Sequence, residues 1–169
     1  MNGYRHRFEK NLGGIKHILL TERNNIHRFI FDPGTDSYSG VEFIEPERAT
    51  PCSFAEGAVS YAEDMRVENG IVSVVHTVEF VTDRMDEASR KLLSELTIAT
   101  ADGVVVIVTS RNDVRFVVGY SQESRGERPL KLAGTLSSSG KKHTDPCGES
   151  VTLRSYDGTK ARIFTGSIG

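Results

Sequence analysis

The sequence predicts a mainly β, β-rich α+β fold, an antiparallel β-sandwich or barrel with one flanking α-helix, and three observations carry that expectation. Short β-branched runs recur along the whole chain, separated by Gly, Pro, Asn and Asp. One stretch has helical apolar spacing, at Met85, Ala88, Leu92, Leu93 and Leu96. Helices do not alternate with strands, which argues against a parallel α/β sheet.

Residues 1–12 read as an N-terminal arm, because Arg5, His6, Arg7, Glu9, Lys10 and Asn11 surround only Tyr4 and Phe8. Gly13-Gly14 punctuates its end, and residues 13–169 then form a single β-rich domain. A chain of about 150 residues buries roughly two-thirds of its surface on folding and needs no staple. Residues 15–21 and 27–32 are short apolar runs with the turn formers Asn24 and Asn25 between them, which predicts a first hairpin. From 32 to 53 the chain breakers Pro33, Gly34, Asp36, Gly40, Pro46 and Pro51 predict a long loop around a short strand at 41–44.

Residues 54–62 follow as a strand with Gly57 inside it, and Asn69-Gly70 is a tight-turn signal. The clearest strand is 71–82, with Val72, Val74, His76, Val78 and Phe80 on the face expected in the core. Asp83 is placed to cap a helix over 85–96, and Asp86 and Glu87 put negative charge in its first turn. Residues 103–109 and 114–120 make a hairpin around Ser110-Arg111-Asn112-Asp113. The run 104–108 does not alternate, so it is expected to be covered on both faces, by the chain itself or by a neighbouring subunit. A polar loop at 121–129, a strand at 130–136, a flexible linker at 137–142 and closing strands at 151–154 and 161–164 complete the domain.

Composition excludes several function classes. Lys and Arg number 21 against 23 Asp and Glu, a net charge of −2 that offers no basic field for specific nucleic-acid binding. The two cysteines, Cys52 and Cys147, are far apart and match no zinc or disulfide spacing. No apolar run approaches a membrane span and the N-terminus lacks a signal-peptide core, so the expected location is the cytoplasm.

No residue earns a catalytic, cofactor-binding or metal-binding role. The stretch 134–142 invites a phosphate-loop reading, but five residues separate Gly134 from Gly140 where four are needed, and Lys142 stands where Ser or Thr must reach magnesium. A nucleophile elbow is missing. His143, Asp145 and Cys147 form the most reactive-looking cluster, yet neighbours in one short loop seldom reach the geometry of a nucleophile with its base. His6, His17, His27 and His76 are scattered. Glu63 and Asp64 are adjacent on a strand and point to opposite faces. The expectation is a non-enzyme with no cofactor and no small-molecule substrate.

Gly13-Gly14-Ile15-Lys16-His17-Ile18, Asn24-Asn25-Ile26, the valine-rich strand with its short helix, and the hairpin ending Val117-Val118-Gly119-Tyr120 together resemble short tail-region proteins encoded by prophages of gut bacteria and, more loosely, phage tail-tube proteins. The ending is similar too, at 136–140, Asp145, Val151-Thr152-Leu153 and Phe164-Thr165-Gly166. The resemblance implies a tail-tube-like fold and a structural virion component, made in the cytoplasm of a bacterial host and then carried in the virion. Its copies would form a homo-oligomeric ring, stack into a DNA conduit and contact other tail proteins. The arm and the 32–53 loop would order on assembly, with contacts falling on that loop and on 104–108. No family site residue carries over, because the family has no active site. The arm is longer and more basic than a minimal tube subunit needs, which leaves a connector or tail-completion role as an alternative. A ligand-binding β-domain is another.

Overall fold

The computed structural model describes residues 13–141 and 147–167, so the expected arm at 1–12 lies outside the described residues. In chain order the elements are β1 (Ile15–Glu22), β2 (Ile26–Asp32), β3 (Ser37–Phe43), β4 (Thr50–Cys52), β5 (Val59–Glu68) and β6 (Ile71–Val81). Helix α1 (Glu87–Ala99) comes next, followed by β7 (Val104–Ser110), β8 (Arg115–Val118), β9 (Lys131–Ser138), β10 (Gly148–Asp157) and β11 (Arg162–Ile163). Short 3-10 turns at Arg23–Asn25 and Pro46–Arg48 link strands.

The strands make three antiparallel layers. A five-stranded sheet, ordered β11-β8-β7-β1-β4, lies in the middle; a four-stranded sheet, β5-β6-β10-β9, covers one face, and the β2-β3 hairpin covers the other. The sheets stay open, so the sandwich form of the expectation describes the fold and the closed barrel does not.

Strand β7 explains why the middle layer needs cover on both sides. Alternate side chains leave a strand on opposite faces, and here both sets are apolar. Val104, Val106 and Val108 join Ile18, Leu20, Val78, Phe80, Val151 and Leu153 in one core. Val105 and Ile107 join Phe29, Tyr38, Val117 and Phe164 in a second. Burying each such side chain stabilises the fold by about 1.5–3 kcal/mol. The chain itself supplies the cover, so this strand is not the subunit contact that the resemblance implies.

Helix α1 seals the edge of the first core with Leu96 and Ala99, and with the partly buried Leu92 and Leu93. Its cap is Asp86, three residues later than expected. The Asp86 carboxylate accepts the Ser89 backbone N–H at 2.9 Å while the Ser89 hydroxyl accepts the Asp86 N–H at 3.1 Å, a reciprocal box that Asp83 has no partner to form.

Other differences from the sequence expectation have local causes. Strands β1 and β2 do not pair with each other: β1 is flanked by β7 and β4, and β2 pairs with β3. The Asn24-Asn25 turn diverts the chain to another layer. Asn25 is buried there, donating to Thr21 Oγ1 at 3.1 Å and the Glu45 carbonyl at 2.9 Å and accepting the Glu45 N–H at 2.8 Å.

About half of the expected 32–53 loop is strand, in the end of β2, β3 and β4. Asp32 accepts from the Gly34 N–H and the Thr35 hydroxyl, closing a tight turn with Asp36 at φ 50°. Strand β3 then starts at Ser37, anchored by Tyr38 at 0% exposure against Phe29, Phe31 and Tyr120. Pro51 is tolerated because β4 is an edge strand whose outer side needs no donor.

The strand expected at 54–62 begins at Val59 and runs to Glu68, since the Ala58 N–H bonds back to the Ala55 carbonyl in a turn that places Gly57 at φ +78°. The Ser137 and Ser138 of the expected linker belong to β9.

Candidate assembly surface

The four-stranded sheet differs from the middle sheet in having one covered face and one bare face. Its covered face carries Val74, His76, Val78, Phe80, Val151 and Leu153, all buried. Register places Ser60, Ala62 and Asp64 of β5, Val75, Thr77 and Glu79 of β6, and Thr152, Arg154 and Tyr156 of β10 together on the opposite face. A shallow depression there is lined by Asp64, Arg66, Ser73, Val75, Arg154 and Tyr156. Tyr156 is 58% exposed and Ile71 is 73% exposed.

The edges of this sheet are long. Strand β5 has 10 residues and β9 has 8, and no strand pairs with the outer side of either among the described residues. The near end of β9 is occupied, because the Leu132 N–H donates to Thr100 Oγ1 at 2.6 Å and Leu130 bridges Val104. A register shift at Ala133 follows, and beyond it Gly134, Thr135, Leu136, Ser137 and Ser138 are exposed and uncharged. Register sets Val59, Phe80, Val151 and Thr135 in one row across the sheet, and Ser60, Glu79, Thr152 and Gly134 in the next. The two uncharged edge segments are therefore level at Val59–Ser60 and Gly134–Thr135, while Ala62 is level with Lys131 and 136–138 run past the start of β5.

An even number of antiparallel strands makes the two edges run in opposite directions. A second copy in the same orientation, placed beside the first, brings its β5 antiparallel to the first copy's β9. Natural proteins usually blunt such edges with charge, proline or a short strand. The middle sheet does so, ending in β4 of 3 residues with Pro51 and β11 of 2 residues.

A polar cluster holds the inner side of β5. Glu63 and His76 are register partners. The Tyr61 hydroxyl donates to Glu63 Oε1 at 2.5 Å and lies 3.2 Å from His76 Nδ1; His76 Nε2 lies 3.0 Å from the Thr159 carbonyl, and the Ala161 N–H donates to Glu63 Oε1 at 2.7 Å. Burial pushes the Tyr61 hydroxyl far above the ordinary phenol range, and the hydrogen bond to Glu63 adds to it. His76 is 3% exposed, and the cluster reaches the Thr159 carbonyl and the Ala161 N–H, so it ties 158–161 to the sheet. The sequence reading placed His76 in the core and Glu63 opposite Asp64, but the pairing of Glu63 with His76 follows only from the β5-β6 register.

A second clamp joins the layers at the far side. Arg162 donates to Asp36 at 2.7 Å and to both carboxylate oxygens of Glu123, and its guanidinium lies 5.0 Å from the Phe31 ring centroid. Hydrogen bonding by Arg162 holds the Glu123 carboxyl below its ordinary value.

The remaining candidates from the sequence are placed as follows. Gly134 lies within a strand, which cannot cradle a phosphate, and Lys142 lies outside the described residues. Cys147 is exposed, while His143 and Asp145 lie outside the described residues. Cys52 is half-buried and its thiol is pushed up to about 11 by burial. His17 and His27 are exposed on separate sheets. No group of three His, Cys, Asp or Glu side chains gathers to hold a metal among the described residues. No helix among the described residues is long and apolar enough to cross a membrane.

Comparison with protein-family models, curated proteins and solved structures gives no match. The surface itself therefore carries the functional argument. Two open edges on one sheet, with uncharged residues level at 59–60 and 134–135, are suited to chain-to-chain pairing.

Proposed function

We propose that the chain is a structural subunit that assembles with copies of itself through its four-stranded sheet, as a tail-tube-like component of a phage tail. The observation that supports this most is the pair of open edges. Ser60 and Ala62 of β5 and residues 134–138 of β9 are uncharged and exposed, and the two strands run antiparallel to each other. Pairing β9 of one copy with β5 of the next is a head-to-tail contact, which generates a ring when the rotation closes. Sheet twist and strand tilt supply that rotation.

The bare face would then line the inside of the ring. Asp64, Glu68 and Glu79 balance Arg66, Arg154 and Lys131 on that face, a mixture that suits passage of DNA without tight binding. The resemblance of the strand-helix-hairpin order to phage tail-region proteins supports the tail setting, and neck, connector or completion positions are other places in the same particle. Catalysis has no part in this reading.

Electron microscopy and sedimentation velocity of the purified protein test it. Rings, tubes or a concentration-dependent oligomer are expected, and Leu136→Lys, which puts a charge on the exposed β9 edge, should return the protein to monomer with its circular dichroism unchanged. A strict monomer at high concentration contradicts the proposal, as does an oligomer indifferent to charges at both edges.

A further inference from the structure

We propose that the tip of the β5-β6 hairpin seats in the hollow between β4 and α1 of a second copy of the chain, a head-to-tail contact that runs along the strands of the four-stranded sheet. It adds a second direction of contact to the edge pairing proposed above and does not require it.

The hairpin outruns its sheet. Strand β10 ends at Asp157, opposite Val74, whereas β5 and β6 stay paired as far as Glu68 and Ile71. Beyond Val74 the sheet is therefore a ribbon only two strands wide. Its Asn69-Gly70 turn has φ values of 51° and 80°, the two positive angles that a tight two-residue hairpin needs, so the tip has a defined shape. Register carries the core face outward from the buried Val78 and Val74 to Met65, Val67 and Val72, and there the cover stops. Met65 is 50% exposed and Val67 is 59% exposed. A two-stranded ribbon is marginally stable alone in water, and an apolar cluster left open on one marks a contact site.

The hollow has the complementary form. It encloses about 330 Å3, with Cys52, Phe54, Ala88 and Leu92 among its apolar walls. The ribbon cannot reach its own hollow. Thr82 and Asp83, which line the hollow, follow directly on the far end of β6, so the extended chain from Val72 to Thr82 sets the two apart by roughly 30 Å. Tip and hollow lie at opposite ends of one sheet, the polarity that a repeating head-to-tail contact between copies needs. Charge fits the same seating. Glu68 beside the tip and Arg84 beside the hollow have no ion-pair partner among the described residues, and the seated hairpin can pair them.

A ribbon two strands wide covers less than the roughly 1,200 Å2 of a stable interface, so one such contact is weak, and copies already joined by their edges strengthen it through effective concentration. Protein with Leu136→Lys therefore still sediments as monomer, while its brief contacts can be trapped covalently.

Cys52 makes the trap. In full-length Cys147→Ser protein carrying Val67→Cys, mild oxidation at high concentration should bond residue 67 to Cys52 of another chain. The readouts are a ladder of dimer, trimer and larger species on a non-reducing gel and the 52–67 pair in peptide mapping. Adding Leu136→Lys should slow the ladder about tenfold, because edge pairing no longer raises the local concentration. A ladder at equal rates supports the hairpin contact and counts against the edge pairing. Cys52 left free in both proteins overturns the proposal, as does a 52–67 bond within one chain, or dimers joined only 67 to 67, the mark of a two-fold contact. Ser73→Cys, on the opposite face of the ribbon, is the control. If it bonds to Cys52 as readily as residue 67 does, the bonds come from random collision and the proposal likewise falls.

Discussion

The middle sheet and the four-stranded sheet are built from similar β-branched strands and end in opposite ways. The middle sheet has apolar residues on both faces of β7 and finishes in strands of 3 and 2 residues, so nearly all of its bonding and packing capacity is used within the chain. The four-stranded sheet has one apolar face and finishes in strands of 10 and 8 residues with open outer sides. The difference teaches that the two layers are finished differently: one sheet uses its bonding capacity within the fold, and the other keeps unpaired edge groups, which the proposed assembly would use.

Substitutions should separate the two roles, and the largest effect is expected in the middle sheet. Val106 is 0% exposed, and Val106→Asp places a charge where nothing can pair with it. A loss on the order of 4 kcal/mol or more is expected, read as a large drop in urea midpoint. A midpoint near wild type would show that β7 is not the keel of the fold. Ala62→Lys and Leu136→Lys, at exposed edge positions of the other sheet, should change monomer stability by less than about 0.5 kcal/mol while abolishing association. A large stability loss at these positions would erase the contrast.

An intermediate effect is expected at the polar cluster. Tyr61→Phe removes the hydroxyl that donates to Glu63 and lies beside His76, at a cost of about 1–2 kcal/mol. Hydrogen exchange should report local loosening at the Ala161 amide, which Glu63 holds. Unchanged protection there would mean that the cluster does not secure 158–161.

The smallest effect concerns pH. The Glu123 carboxyl sits below its ordinary value of 4.5 because Arg162 bonds to it, so its folded pKa is lower than its unfolded one. The stabilisation is present above about pH 5 and is lost as pH falls through the depressed value. Melting temperatures of wild type and Glu123→Gln should accordingly differ most near neutral pH and converge in acid. Curves separated by a constant amount at all pH values would rule out this contribution.

Much of this contrast was legible in the sequence, because period and composition encode burial. The alternation from Val74 to Phe80 and the unbroken apolar run from Val104 to Val108 identified one-sided and two-sided strands, whereas Val72, expected on the core face, is 41% exposed near the start of β6, ahead of its buried stretch. Pairing was not legible. The runs on either side of Asn24-Asn25 looked like a hairpin because local turn chemistry says only that the chain bends, whereas the partners of β1 are more than 25 residues away at Cys52 and Val108. Pro46 and Pro51 read as loop because proline is excluded from paired interiors, and only the sheet order reveals β4 as an edge. The candidate surface depends on level edges across four strands, information that exists only in the register.

Hydrogen exchange over a concentration series tests the central claim most directly. The account predicts that outward-facing amides at 59–62 and 134–138 become protected together as the protein associates, while those of β8 stay as they were. Association that leaves both segments exchanging at their dilute rate, or no association at any concentration, would contradict it.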